Sequence, residues 1–281
     1  MKTIIRVVLL LVVQVFGGAA HAAPIPVEST YERVIRTGVI RCGYTPYSVA
    51  LAKDPNTGVL SGIYKDITEA IGEKLGLKIE WTEEVGWGGQ IEGLNTGRYD
   101  MVCSPANITG PRSRAADLTA TLYFEPVWVW ARGDDTRFDN AGLQALNTPE
   151  TKIATIDGEQ SEAAARFYLP RASLFSAPQA SDYSIMILNV IDRKADVTFA
   201  SPVTAEDYMR THPQALKRVG GDQPLYMAVG IMQIKRGEHD FTAMINSTIR
   251  ELFASNVIDM VLDKYGSYPL YRVAKAYAEQ Q

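Results

Sequence analysis

Residues 64–81 read Tyr-Lys-Asp-Ile-Thr-Glu-Ala-Ile-Gly-Glu-Lys-Leu-Gly-Leu-Lys-Ile-Glu-Trp. Ile67, Ile71 and Leu75 recur at the spacing of one helical face, so Tyr64–Leu75 is predicted as a helix and Lys78–Trp81 as the strand after it. On the N-terminal side, the apolar run Val39–Cys42 has the character of a strand. On the C-terminal side, Gln90–Leu94 begins a second helix, Gly97 stops it, and Tyr99–Cys103 makes a third strand. This βαβαβ order predicts an α/β fold with a mostly parallel sheet flanked by helices. The order restarts with strand Lys152–Thr155, helix Ser161–Tyr168, strand Ser173–Ser176, helix Asp182–Ile191 and strand Ala195–Ala200. Phe241–Tyr265 closes the chain as one or two helices. Two extended stretches, Val127–Trp130 and Leu225–Ile234, flank the second block, which predicts two lobes crossed twice by the chain.

The chain has 281 residues, 46% hydrophobic and 21% charged, enough for one large or two medium domains each with its own core. Its formal charge of −4 gives no footprint for nucleic acid or an anionic membrane surface. Lys2 and Arg6, the apolar run Val7–Val13 and Ala20-His21-Ala22 follow the order of a secretory signal peptide, residues 1–22, cut after Ala22. Removing it takes away two positive charges, so the mature chain counts 26 − 32 = −6. A periplasmic protein is expected. In that oxidising space Cys42 and Cys103, at the ends of two predicted strands, either form a disulfide or stay as buried thiols.

No phosphate-binding loop, dinucleotide fingerprint or nucleophile elbow is present. After the leader only His212 and His239 remain, which leaves little from which to assemble a metal site or a Cys-His nucleophile. No catalytic residue, cofactor or metal is therefore expected. Ligands of open α/β sheets bind beyond the carboxyl ends of the strands. There Ser104-Pro105-Ala106-Asn107-Ile108-Thr109-Gly110-Pro111-Arg112 offers a guanidinium able to hold a carboxylate, unless Arg112 is simply a solvated arginine. Tyr44, Tyr47 and Trp87 could wall a cleft or pack in a core. Asp157-Gly158-Glu159-Gln160-Ser161 joins a strand to a helix, either presenting backbone N–H groups to an anion or merely capping the helix.

The order of segments over residues 33–267 resembles the bacterial extracellular solute-binding proteins of polar amino-acid ABC importers. The resemblance is carried by Arg36-Thr37-Gly38-Val39-Ile40-Arg41, by Gly58–Asp66, by Trp87–Asp100 with Leu94, Gly97 and Asp100, by Thr109-Gly110-Pro111-Arg112 with Asp117, and by Ile249–Gly266. It implies a two-lobed periplasmic-binding-protein clamp, with lobe 1 at 23–124 and 229–281, lobe 2 at 125–228, and hinge strands near Leu122–Val127 and Leu225–Val229. It further implies a monomer that hands a small carboxylate-bearing solute to an inner-membrane ABC permease. By the same resemblance Arg112 holds the ligand's α-carboxylate, helped by Asn107, the Pro105 carbonyl and Gln160, with Gly158 and Ser161 in the same turn. The family's acid for the α-ammonium is replaced here by Ser201. A buried ammonium without a counter-charge costs several kcal/mol. Glu159 is the substitute acid expected, unless the ligand lacks a primary ammonium or carries a methylated one facing the aromatics. The alternatives are an enzyme on the same clamp, such as a dehydratase of cyclic carboxylates using Glu159, and an orphan or sensor-associated binding protein.

Overall fold

A computed structural model describes residues 28–266 and 270–273; the expected leader lies outside them. Helix α1 (Thr30–Thr37) is capped reciprocally: the Ser29 hydroxyl accepts from Glu32 N–H, and the Glu32 carboxylate accepts from Ser29 N–H. Gly38, at φ 70°, ends it and leads into β1 (Val39–Tyr44). After the small hairpin β2 (Ala52–Lys53) and β3 (Leu60–Ser61) come α2 (Ile63–Leu75) and β4 (Lys78–Glu84). Helix α3 (Gln90–Asn95), β5 (Met101–Ala106), α4 (Gly110–Ala115) and β6 (Ala116–Leu118) complete the first block.

The chain then crosses on β7 (Tyr123–Arg132) into the second block. This holds β8 (Lys152–Ile156), α5 (Gln160–Tyr168), β9 (Ser173–Ala177), α6 (Ile185–Ile191), β10 (Val197–Ala200), α7 (Pro202–Thr211) and β11 (Leu216–Val219). It returns on β12 (Tyr226–Lys235) and ends with α8 (His239–Ala254) and α9 (Val257–Lys264). None of the described helices is long and apolar enough to cross a membrane.

The main sheet runs in the order β4-β1-β5-β12-β7-β10-β8-β9. Pairing is parallel inside each block and antiparallel where the two long strands join them. The α/β reading from the hydrophobic spacing therefore holds, with the parallel character confined to the blocks. Each long strand has two parts. Tyr123–Val127 of β7 pairs with Tyr226–Gly230 of β12, whereas β7 from Trp128 onward pairs with β10 and β11, and β12 from Ile231 onward with β5 and β6. Separate cores lie on the two sides: Ile40, Ile67, Ile71, Ile245 and Leu252 pack in one, Ile153, Val197, Phe199 and Leu169 in the other.

Cys42 and Cys103 are joined, with Cα atoms 5.5 Å apart, which tie β1 to its neighbour β5. The bond closes a segment with a sequence separation of 61 and so restricts the unfolded chain; chain-entropy reasoning puts this at about 4 kcal/mol. Replacing both cysteines by alanine should lower unfolding stability by about 2–4 kcal/mol in urea titrations while leaving the native circular-dichroism spectrum unchanged. An unchanged midpoint would show that the bond constrains nothing that matters in the unfolded chain.

Candidate functional site

Strand β5 runs three residues beyond Cys103, so Pro105 lies in the strand and Asn107 at its exit. Thr109 then caps α4, its hydroxyl accepting from Arg112 N–H at 3.2 Å, and Pro111 sits in the first turn, where it needs no donor. This positions the half-buried Arg112 guanidinium, whose Nη1 donates to the Asn107 carbonyl at 2.7 Å. In the second block β8 ends at Ile156. Gly158 turns the chain at φ 74°, and Glu159 caps α5, its carboxylate accepting from Ser161 N–H at 2.6 Å.

These two strand ends face one another. A Cβ at Gly158 would lie 3.0 Å from the Cα of Gly88, and Trp87 N–H donates to the Gln179 carbonyl at 3.2 Å, so the halves meet backbone to backbone. Between them is a cavity lined by Tyr47, Trp87, Pro105, Asn107, Arg112, Glu159 and Gln160. Its floor is one face of the shared ladder: Tyr123, Glu125 and Val127 alternate on β7, and Tyr226, Ala228 and Gly230 on β12. Tyr183 completes the lining, its ring edge-on to Tyr47 at 4.5 Å and to Trp87 at 6.4 Å.

Four of the expected ligand-binding residues stand apart from this cavity. Tyr44 belongs to β1, which continues two residues past Cys42. Its ring packs edge-on against Trp81 at 5.8 Å in the first core. The Ser161 hydroxyl points back along its own turn and accepts from Ile156 N–H at 3.4 Å. Gly158 lines the adjoining groove with Arg112 and Gln160. Ser201 is buried at the start of α7, its hydroxyl bonded to the Glu125 carboxylate and the Tyr47 hydroxyl and 3.5 Å from that of Thr204.

Glu125, Tyr123, Tyr183 and Tyr226 were not expected. Glu125 left a readable signal, an acid within the stretch 123–130 that is otherwise made of Tyr, Phe, Pro, Val and Trp. It is 8% exposed and Glu159 is 7% exposed. Burial pushes the Glu125 carboxyl up to about 7, with the Ser201 hydroxyl pulling the other way. Burial also raises Glu159, against the opposing pull of Ser161, of the Gln160 N–H and of Arg112. The Arg112 guanidinium is lowered by desolvation and restored in part by Glu159. Tyr47, Tyr123, Tyr183 and Tyr226 are all raised by burial and so remain neutral hydroxyls. Among the described residues no cluster of His, Cys, Asp or Glu is arranged to hold a metal ion.

The family described as bacterial extracellular solute-binding proteins, family 3, matches residues 39–268. An L-arginine-binding protein of Pseudomonas aeruginosa is 24% identical over 250 residues, covering 85% of this chain and 90% of its own. A cyclohexadienyl dehydratase of the same organism is 23% identical over 214 residues, covering 75% and 76%. Among solved structures, an ancestral amino-acid-binding protein, described as a precursor of cyclohexadienyl dehydratase, superposes with a TM-score of 0.72. It is 24% identical, with 84% of this chain and 99% of that one covered.

A carboxyl raised from 4.5 to about 7 on folding opposes folding once it ionises. The penalty is absent below pH 4.5 and grows as pH rises through about 7, reaching about 3 kcal/mol at 1.36 kcal/mol per pH unit. Glu125→Gln should therefore stabilise the ligand-free protein by up to about 3 kcal/mol at pH 8 and hardly at all at pH 4. Urea unfolding at the two pH values checks this; an equal difference at both would mean that Glu125 is not held at the cost of its charge.

Proposed function

The chain belongs to family 3 of the bacterial extracellular solute-binding proteins, and we propose that it is a periplasmic receptor for an α-amino acid. It would take the amino acid up as a monomer and hand it to an inner-membrane ABC permease. The supporting observation is one cavity between the two halves that holds a guanidinium from one half, a carboxylate from the other and a second carboxylate from the strand they share. A zwitterion presents the complementary pair of charges. Arg112 offers two parallel donors to the α-carboxylate, and Asn107 and Gln160 stand beside it to fill its remaining lone pairs. Two acids against one guanidinium favour a ligand of zero or positive net charge over an acidic amino acid.

In this reading residues 23–124 with 229–281 form one lobe and 125–228 the other. Binding energy shifts the equilibrium toward the closed form, because only there do ligand contacts come from both lobes at once. Tyr47 and Trp87 from one side and Tyr183 from the other already meet edge to edge, so closure also brings aromatic surface together.

One observation favours a second reading. A buried carboxyl near pH 7 is poised to give or take a proton, as a dehydratase acting on a cyclohexadienyl carboxylate would need. Turnover of such a compound by the purified protein separates the two, since a receptor returns its ligand unchanged.

The test is thermal unfolding with each of the twenty standard L-amino acids, a set of 2-hydroxy acids and betaines, after stripping by unfolding and refolding. A ligand at ~100 times its dissociation constant should stabilise the protein by ~2.7 kcal/mol. Arg112→Ala should erase that shift for every carboxylate ligand, and Arg112→Lys should weaken binding at least ~10-fold through loss of the planar fork. Full affinity in Arg112→Ala would end the carboxylate assignment, and a panel without a single shift would end the receptor reading.

A further inference from the structure

The amino-acid reading leaves open which acid meets the ligand's ammonium, and the inference drawn here rests on that reading. Glu159 is already engaged. Its carboxylate caps α5 by accepting from Ser161 N–H at 2.6 Å, and it receives further donation from Gln160 N–H and the field of Arg112. An ammonium brought there would displace a cap and sit beside a guanidinium.

Glu125 is placed differently. It stands on β7 opposite Ala228, with Gly230 next on the same face, so small residues leave its carboxylate open to the cavity. Its hydrogen-bond partner is the Ser201 hydroxyl, and no Lys, Arg or His among the described residues forms an ion pair with it. A carboxylate accepts up to about four hydrogen bonds, so acceptor capacity remains. Ser201 is also the position at which the resemblance calls for an aspartate. The acid missing from that residue is supplied against it by the strand alongside.

We propose that Glu125, positioned by Ser201, is the acceptor for the ligand's primary ammonium. The groups that face it are Ser201 at the start of α7, Tyr47 after β1, Tyr64 of α2, Tyr123 on its own strand, Tyr183 ahead of α6 and Tyr226 of β12, with Glu159 across the cavity. The tyrosines stay neutral, which leaves the two acids as the titrating groups near neutrality. Burial holds Glu125 at about 7 in the empty site, so an ammonium must first meet an ionised carboxylate. Affinity should fall about tenfold for each pH unit below 7, close to 100-fold between pH 8 and pH 5.

Titration calorimetry would use whichever standard L-amino acid raises the unfolding temperature most, and its 2-hydroxy analogue, at pH 5, 6, 7 and 8. Wild type should show the falling slope with the amino acid. Glu125→Gln should bind it about 100-fold more weakly at pH 8, show no slope, and gain relative affinity for the hydroxy analogue. Ser201→Ala, which keeps the acid but removes its hydroxyl donor, should move the midpoint of the slope to higher pH. If Glu125→Gln keeps wild-type affinity and slope, the ammonium belongs to Glu159 and the proposal falls. If no amino acid binds wild type at all, the receptor reading fails first and takes this one with it; Arg112→Ala, losing amino and hydroxy acids alike, marks the carboxylate end independently.

Discussion

Five residue pairs of one antiparallel ladder, Tyr123–Val127 against Tyr226–Gly230, hold the two halves of this molecule together. Because side chains alternate across a strand, the ladder has two faces with separate duties. One carries Tyr123, Glu125, Val127, Tyr226, Ala228 and Gly230 into the cavity; the other carries Phe124 and Pro126, and along the strand edge the Phe124 backbone bridges Tyr271. A one-residue slip in register would exchange the faces and place Phe124 and Pro126 where Glu125 and Tyr123 now stand. The cavity's chemistry is thus fixed by the same hydrogen bonds that fix the fold.

Around that floor, polarity is distributed so that every charged group has a reason to be there. Arg112 is braced by the Asn107 carbonyl, Glu159 by the first turn of α5, and Glu125 by a hydroxyl. The two acids differ in how much of their bonding capacity the protein itself uses: more for Glu159, less for Glu125. Removing charges from water costs several kcal/mol each unless partners compensate. A cavity left partly uncompensated is therefore one that gains when a molecule of complementary charge arrives. The tyrosines suit this setting, giving apolar ring surface and a hydroxyl with no charge to bury.

The α/β architecture was legible from the helical spacing in residues 64–75 and its recurrence with strand-like runs, because burial of one face imposes those periods. Strand lengths were less so. The reading ended β1 at Cys42, whereas pairing with β4 carries it to Tyr44, and those two residues move a supposed cleft aromatic into a core. Arg112 could be singled out because its loop has a local signature, a capping threonine followed by glycine and proline. Glu125 stands out only as an acid in an apolar stretch, which by itself does not mark a ligand group. Its importance arises from burial, from Ala228 and Gly230 on a strand about a hundred residues away, and from Ser201 on a third segment, none of which is a local property of the chain. The vacancy created by Ser201 was visible in sequence, but its neighbour was not. The pairing of Cys42 with Cys103 likewise needed β1 and β5 to be placed side by side.

The seam at which Gly158 meets Gly88 has bearing beyond the cavity. Contacts between long side chains tolerate small errors in approach, since rotamers can adjust. Backbone against backbone has no such slack. The meeting of the two halves is consequently gauged by residue size at Gly158, where a methyl group would press on the Gly88 backbone; at Gly88 it would meet the Gln179 side chain instead. In the proposed two-lobed reading, Gly158 therefore sets how closely the halves can approach.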